Sequence, residues 1–277
     1  MINGRTLVLA HIGYPTASFK APLIYNPWFE RQGIDAVVVP MACRAGDYEA
    51  LLRPLFRLAN VRGALVTMPH KVATVALLDA RSTAVEIAGS CNAIVKRDDG
   101  SLAGDMFDGA GYVRGAARKG FRFEGKRCLI VGTGGVGSAI AASIAAEHVA
   151  GLSLFDVDVG SARALAERLR AHYPEVDVQT GSRDPHGYDM VVNATPLGMN
   201  DGDPLPLDVS RLSPGTFVGE VVMKHEMTPL LQAAQARGCP FQVGTDMLFE
   251  MIPAYLEFFG FGTATPEALR AVADVRY

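Results

Sequence analysis

The chain has 277 residues, 49% of them hydrophobic and 20% charged, which is enough apolar length for two domains and excludes a disordered chain. A net charge of −3 gives no reason to expect a nucleic-acid or membrane partner. No apolar run is long enough to span a membrane, the first residues lack a signal-peptide pattern, and Cys43, Cys91, Cys128 and Cys239 form no C-x-x-C pair. Disulfides and a metal site are therefore not expected, and a cytoplasmic location is.

Taken in order, Thr6 to Ile12 reads as a first strand, ended by Gly13-Tyr14-Pro15. A helix starts near Pro22 and runs through Phe29. Ala36 to Val39 reads as a strand, Ala50 to Ala59 as a helix, and Gly63 to Thr67 as a third strand. Lys71 to Leu78 reads as helical, with Pro69 near its entrance. Ala93 to Lys96 and Leu102 to Ala103 flank Arg97-Asp98-Asp99-Gly100, a hairpin turn. A helix over Gly109 to Lys119 follows.

The pattern then sharpens. Cys128 to Val131 is an apolar run that fits a strand buried on both faces. Gly132-Thr133-Gly134-Gly135-Val136-Gly137 follows at once, in the spacing G-x-G-x-x-G. The first glycine permits the tight turn, the second lets the backbone approach a pyrophosphate, and the third lets helix pack on strand. A helix from Val136 to Glu147 aims its positive end at the phosphates. The next strand, Leu152 to Phe155, ends in Asp156, placed to accept from both ribose hydroxyls. The fingerprint predicts a dinucleotide site at Gly132, Gly134, Gly135, Val136 and Asp156. Asp156-Val157-Asp158 has no base before Arg163, and a carboxylate repels a 2′-phosphate, so NAD is expected in preference to NADP. The plainer reading is a glycine turn in an ordinary α/β layer.

Ser161 to His172, Pro229 to Arg237, Asp246 to Phe259 and Pro266 to Val275 read as helices. Asp189 to Asn193, Phe217 to Val222 and Phe241 to Val243 read as strands. Alternating strands and helices imply an α/β fold with mostly parallel sheets. The expected division is a substrate domain of residues 1–107, completed by helices in 246–277, and a Rossmann-type dinucleotide domain of 108–245. The cleft between them is the natural active site.

Lys71, Asn92 and Asp108 each follow a probable strand of the first half. Hydride transfer from a hydroxyl carbon needs a proton moved from its oxygen. A Lys paired with an Asp can do this, although a single Lys is most often a solvated surface residue. His70, beside Lys71, reads as a packing residue, and the other histidines show no metal spacing.

Several motifs, in this order, resemble the shikimate dehydrogenase family along nearly the whole chain. They are Gly13-Tyr14-Pro15, Val66-Thr67-Met68-Pro69-His70-Lys71, Cys91-Asn92-Ala93, Gly104-Asp105-Met106-Phe107-Asp108-Gly109, Asn193-Ala194-Thr195-Pro196-Leu197-Gly198-Met199 and Thr228-Pro229-Leu230-Leu231. The resemblance implies reversible oxidation of a ring hydroxyl of shikimate, quinate or a related cyclic hydroxy acid or alcohol. It implies Lys71 as acid/base with Asp108 as partner, and Thr67 and Asn92 on the substrate's hydroxyls. It adds Asp158, Thr195, Val221, Gly244 and Met247 to the cofactor contacts. The family's serine pair is replaced by Phe19 and Ala21, its Tyr by Met223 and its Gln by Met251, so the substrate pocket is more apolar. A monomer or homodimer is expected. The rival is a nucleotide-binding regulatory protein of the same fold with little or no turnover.

Overall fold

The computed structural model describes residues 2–274. The chain divides into two compact units, Met1–Phe107 with Ile252–Arg276, and Asp108–Met251.

In the first unit the elements are β1 (Leu7–Gly13), α1 (Pro22–Gln32), β2 (Ala36–Ala42), α2 (Ala45–Leu55), β3 (Val61–Val66), α3 (Lys71–Thr74), β4 (Ala80–Arg81), α4 (Thr83–Ala88), β5 (Ala93–Lys96) and β6 (Leu102–Asp105). A short 3₁₀ turn, Val75–Leu77, continues α3. The sheet order is β2-β1-β3-β5-β6-β4. β1 pairs in parallel with β2 and β3, and β5 lies antiparallel between β3 and β6. Pro40 falls on β2, an edge strand, where a missing N–H is tolerated. Leu9, Ala10, Ile12, Ile24, Phe29, Leu52 and Ile94 are buried in the core.

Helix α2 starts at Ala45 rather than Ala50 and stops at Leu55 rather than Ala59. Arg44 is extended and turns the chain into the helix, and Pro54 lacks the N–H that would continue the ladder. Helix α4 and strand β4 were not legible in the pattern. They hold only six and two residues.

The second unit contains α5 (Asp108–Arg118), β7 (Arg127–Val131), α6 (Gly135–Ala145), β8 (Gly151–Phe155), α7 (Val159–His172), β9 (Asp177–Thr180), β10 (Met190–Asn193), β11 (Phe217–Glu220), α8 (Pro229–Ala236), β12 (Phe241–Gln242) and the start of α9 (Gly244–Phe259). Its strands run in the order β12-β11-β10-β7-β8-β9, and every pair is parallel. The strand order reverses between β7 and β10, the place where doubly wound sheets take dinucleotides. Leu129, Val131, Val191, Val218 and Leu231 pack together beneath it. Helix α10 (Pro266–Arg270) belongs to the first unit, and Val275, expected at its end, lies outside the described residues. Among the described residues no helix is long and apolar enough to cross a membrane.

Candidate active site

In the first unit, backbone bonds converge on Thr67, Lys71 and Asn92. Thr67 leaves β3 with its N–H on the Ile12 carbonyl at 2.9 Å, and its own carbonyl accepts from His70 N–H at 2.9 Å. Lys71 opens α3 directly after His70. The His70 ring is buried flat on Tyr48, centroids 4.0 Å apart, with Nε2 against the Cys43 carbonyl at 2.8 Å. Its role is packing, and it fixes where Lys71 begins. The Lys71 carbonyl accepts from Cys91 N–H at 2.8 Å, so the residue before Asn92 is tied to the lysine's backbone.

Asn92 is buried, and its carbonyl accepts from Val66 N–H at 2.8 Å and from the Tyr255 hydroxyl at 3.4 Å. Its Oδ1 accepts from Phe107 N–H at 3.0 Å. Phe107 meets the rings of Tyr255 and Phe258 edge-on, at 4.8 and 5.5 Å. Lys71 and Thr67 are half-buried. Gly13 completes this group. A Cβ there would stand 2.5 Å from Thr67 Cγ2 and 2.8 Å from both Phe19 Cζ and the Met68 carbonyl oxygen, so only glycine fits among them. Phe19 reaches Gly13 from the segment before α1, while Ala21 is buried at the start of α1.

In the second unit Asp108 opens α5 and is only 3% exposed. Gly109 lets α5 sit directly on the Ala139 carbonyl of α6. Met251 is half-buried and packs its Cβ beside Gly111 of α5, where Met247 also presents its carbonyl. The Met247 side chain is buried.

The glycine turn has the form a dinucleotide needs. Gly132 has φ +101, and a Cβ on it would crowd Ala194 and Thr195 at 2.8–2.9 Å. A Cβ on Gly137 would collide with the Gly132 carbonyl oxygen. Gly134 faces open space at the N-terminus of α6, flanked by Gly135 and Val136. An approach closed to side chains but open at Gly134 fits a pyrophosphate on backbone N–H groups.

Beyond the turn, Asn193 and Glu220 join the ends of β10 and β11. Glu220 is wholly buried and accepts from Asn193, Thr228, Val221 N–H and Val222 N–H. Burial pushes its carboxyl above the usual range, against the pull of those donors. Asn193 Oδ1 in turn accepts from Thr195 N–H and Oγ1, at 3.1 and 2.6 Å, which sets the loop carrying Thr195. Gly244 lets α9 start against the Val222 carbonyl, and Val221 is half-exposed beside it. Glu220 was missed in the sequence because an acid ending an apolar strand reads as solvated. Its signal is the chain of partners around it.

Strand β8 ends in Asp156, whose carboxylate is already engaged. Oδ2 accepts from Thr133 N–H at 2.6 Å and Thr133 Oγ1 at 3.0 Å, and Oδ1 accepts from Asp158 N–H at 2.9 Å. Burial would raise its carboxyl, but these donors outweigh it and hold the group below its ordinary value. Asp158 caps α7 through Gly160 and Ser161 N–H. No cluster of potential metal ligands occurs among the described residues.

Residues 11–94 match the family model described as the shikimate dehydrogenase substrate binding domain. The chain is 34% identical over 278 residues to the shikimate dehydrogenase (NADP(+)) of Rhodospirillum rubrum, with 98% of each chain covered. It is 35% identical over 251 residues to that of Rubrobacter xylanophilus, covering 89% and 88% of the two chains. It belongs to the shikimate dehydrogenase family. Among solved structures of this family, the Listeria monocytogenes shikimate 5-dehydrogenase in complex with shikimate and NAD superposes with a TM-score of 0.89, at 26% identity and 98% and 97% coverage. The quinate dehydrogenase of Corynebacterium glutamicum in complex with NAD gives 0.86, at 28% identity and 96% and 98% coverage.

The shikimate dehydrogenase family membership corrects one expectation. NAD was expected over NADP from Asp156-Val157-Asp158, yet the curated relatives are named for NADP(+). The physical reason lies in what the two acids do. Asp156 braces the glycine turn and Asp158 caps a helix, so their presence in the sequence does not report a bond to a ribose.

Proposed function

We propose that this protein catalyses the reversible oxidation of a ring hydroxyl to a ketone, on shikimate, quinate or a related cyclic hydroxy compound. Lys71 and Asp108 are the proton-transfer pair. The substrate is held by residues of 1–107 and 246–277, and the dinucleotide by 108–245. A bound nicotinamide supplies the hydride acceptor, and NADP(H) is the form that the curated relatives' names carry over.

The observation that supports this reading best is the convergence of Thr67, Lys71 and Asn92 through the bonds Thr67 N–H to Ile12, Cys91 N–H to Lys71 and Val66 N–H to Asn92. The end of β3, the start of α3 and the residues before β5 are thereby held in fixed relation. Asn92, buried and braced on both its carbonyl and its Oδ1, presents a stiff polar group to one hydroxyl. Thr67 offers its hydroxyl to a second. Lys71 takes the proton from the reacting hydroxyl in oxidation and returns it in reduction, with Asp108 as its partner in the transfer. Phe19, Ala21 and Met251 contribute apolar lining.

The test is turnover of cyclic alcohols by wild type and Lys71→Ala, with each dinucleotide in turn. Wild type should reduce the cofactor, and Lys71→Ala should lose at least a thousandfold in kcat with nucleotide affinity within about twofold. Absence of turnover on every cyclic alcohol would overturn the reading in favour of a nucleotide-binding regulatory protein.

A further inference from the structure

His11 stands on β1, two residues before Gly13, and the chemistry proposed above does not use it. Its ring is 8% exposed and lies on Phe19, with centroids 4.0 Å apart and planes 25° from parallel. Its Nδ1 is sealed from solvent and meets no hydrogen-bond partner among the described residues. Phe19 and Thr67 both close on Gly13, two residues along the same strand, and Lys71 lies near enough for its charge to act on the imidazole. His11, Phe19, Thr67 and Lys71 therefore share one neighbourhood within the first unit.

The imidazole is uncharged at neutral pH. Burial first, and the lysine's charge second, lower it from 6.5 to about 4. A neutral ring carries one proton. An N–H sealed away from every acceptor is the costlier orphan, so the proton belongs on Nε2. The ring then offers one ordinary N–H donor.

We infer that His11 is a substrate-binding residue whose Nε2–H donates to an uncharged oxygen, hydroxyl or keto, of a cyclic polyol that carries no carboxylate. The inference rests on the ring-hydroxyl oxidation proposed above and narrows its substrate class. Phe19, stacked on His11, and Ala21, buried at the start of α1, themselves supply no hydroxyl donor. The face of an aromatic ring is negative and repels an anion, yet it packs well on the C–H face of a polyol. A single neutral donor suffices for a hydroxyl or ketone. It falls short of replacing the water that a buried carboxylate gives up.

The experiment compares shikimate and quinate with their uncharged methyl esters. Wild type should show kcat/KM at least tenfold higher for each ester than for its acid. His11→Val should lose at least tenfold on the esters, chiefly through KM, and His11→Gln, which keeps a neutral N–H donor, should recover most of the loss. Dinucleotide affinity within twofold of wild type shows that the variants are folded. Phe19→Ser should shift preference toward the acids. Preference for the acids in wild type, or esters unaffected by His11→Val, overturns the inference.

Calorimetric binding of the esters to Lys71→Ala, with and without His11→Val, separates this inference from the reading beneath it. Binding lost with His11→Val while wild type turns over nothing leaves His11 standing and removes the oxidation. Turnover that needs Lys71 but is indifferent to His11 does the reverse.

Discussion

Asn193 donates from Nδ2 to both carboxylate oxygens of Glu220, at 2.9 and 3.2 Å, and so locks the end of β10 to the end of β11. The same Nδ2 reaches the Leu197 carbonyl at 3.0 Å, and Thr228 Oγ1 donates to Glu220 Oε2 at 2.8 Å. One buried acid thereby orders two loops at the carboxyl edge of the parallel sheet, the edge at which sheets of this kind take their ligands.

Glu220→Gln should destabilise the protein by about 1–3 kcal/mol, because an amide N–H₂ would face donors where an oxygen now accepts. Urea unfolding would measure it, and a change under about 0.5 kcal/mol would count against the network. Asn193→Ala should cost a similar amount and also weaken dinucleotide binding, since Thr195 loses its anchor on Oδ1.

Gly137→Ala should abolish dinucleotide binding while leaving most of the fold intact. The added methyl group collides with the Gly132 carbonyl, so either the turn opens or α6 withdraws from it. Fluorescence titration with NADPH should show at least a hundredfold loss. Retention of wild-type affinity would mean that the third glycine of the fingerprint has no packing role here.

Those two positions were unequally legible. The turn was readable because an apolar strand, three glycines and an apolar helix repeat a spacing that few other structures need. Glu220 was not, because burial of a charge depends on donors from residues 193 and 228, which no local pattern connects. Strand β9 was missed for a related reason: it is a sheet edge with only Val178 buried, so it shows no alternation to read. In the substrate half, Lys71 and Asn92 stood out by motif, whereas His11 passed as an ordinary strand residue until its ring was seen on Phe19. The cofactor expectation failed at Asp156 because spacing cannot tell an acid that meets a ribose from one that braces its own turn.

Asp156→Ala should therefore loosen the glycine turn itself. Thr133 loses the acceptor for both its N–H and its hydroxyl, so affinity for NADP and NAD should fall together, by about tenfold or more. Since the folded carboxyl sits below its unfolded value, its stabilising contribution is present above pH 3.8 and lost as pH falls through the folded value. A variant that binds NADP unchanged would show that the brace is dispensable.

His11 makes stability depend on pH with the opposite chemistry and the same sign. Below pH 6.5 the unfolded chain takes up a proton on this imidazole that the folded chain refuses until about pH 4. Its contribution is thus complete above pH 6.5, declines as pH falls through that window and is gone below it. The difference between pH 7 and pH 4 amounts to about 3 kcal/mol at most. Urea unfolding at half-unit steps from pH 4.5 to 7.5 should show a steeper fall for wild type than for His11→Gln, which has no proton to gain. Parallel curves would mean that Phe19 swings off the ring and lets His11 ionise in the folded protein.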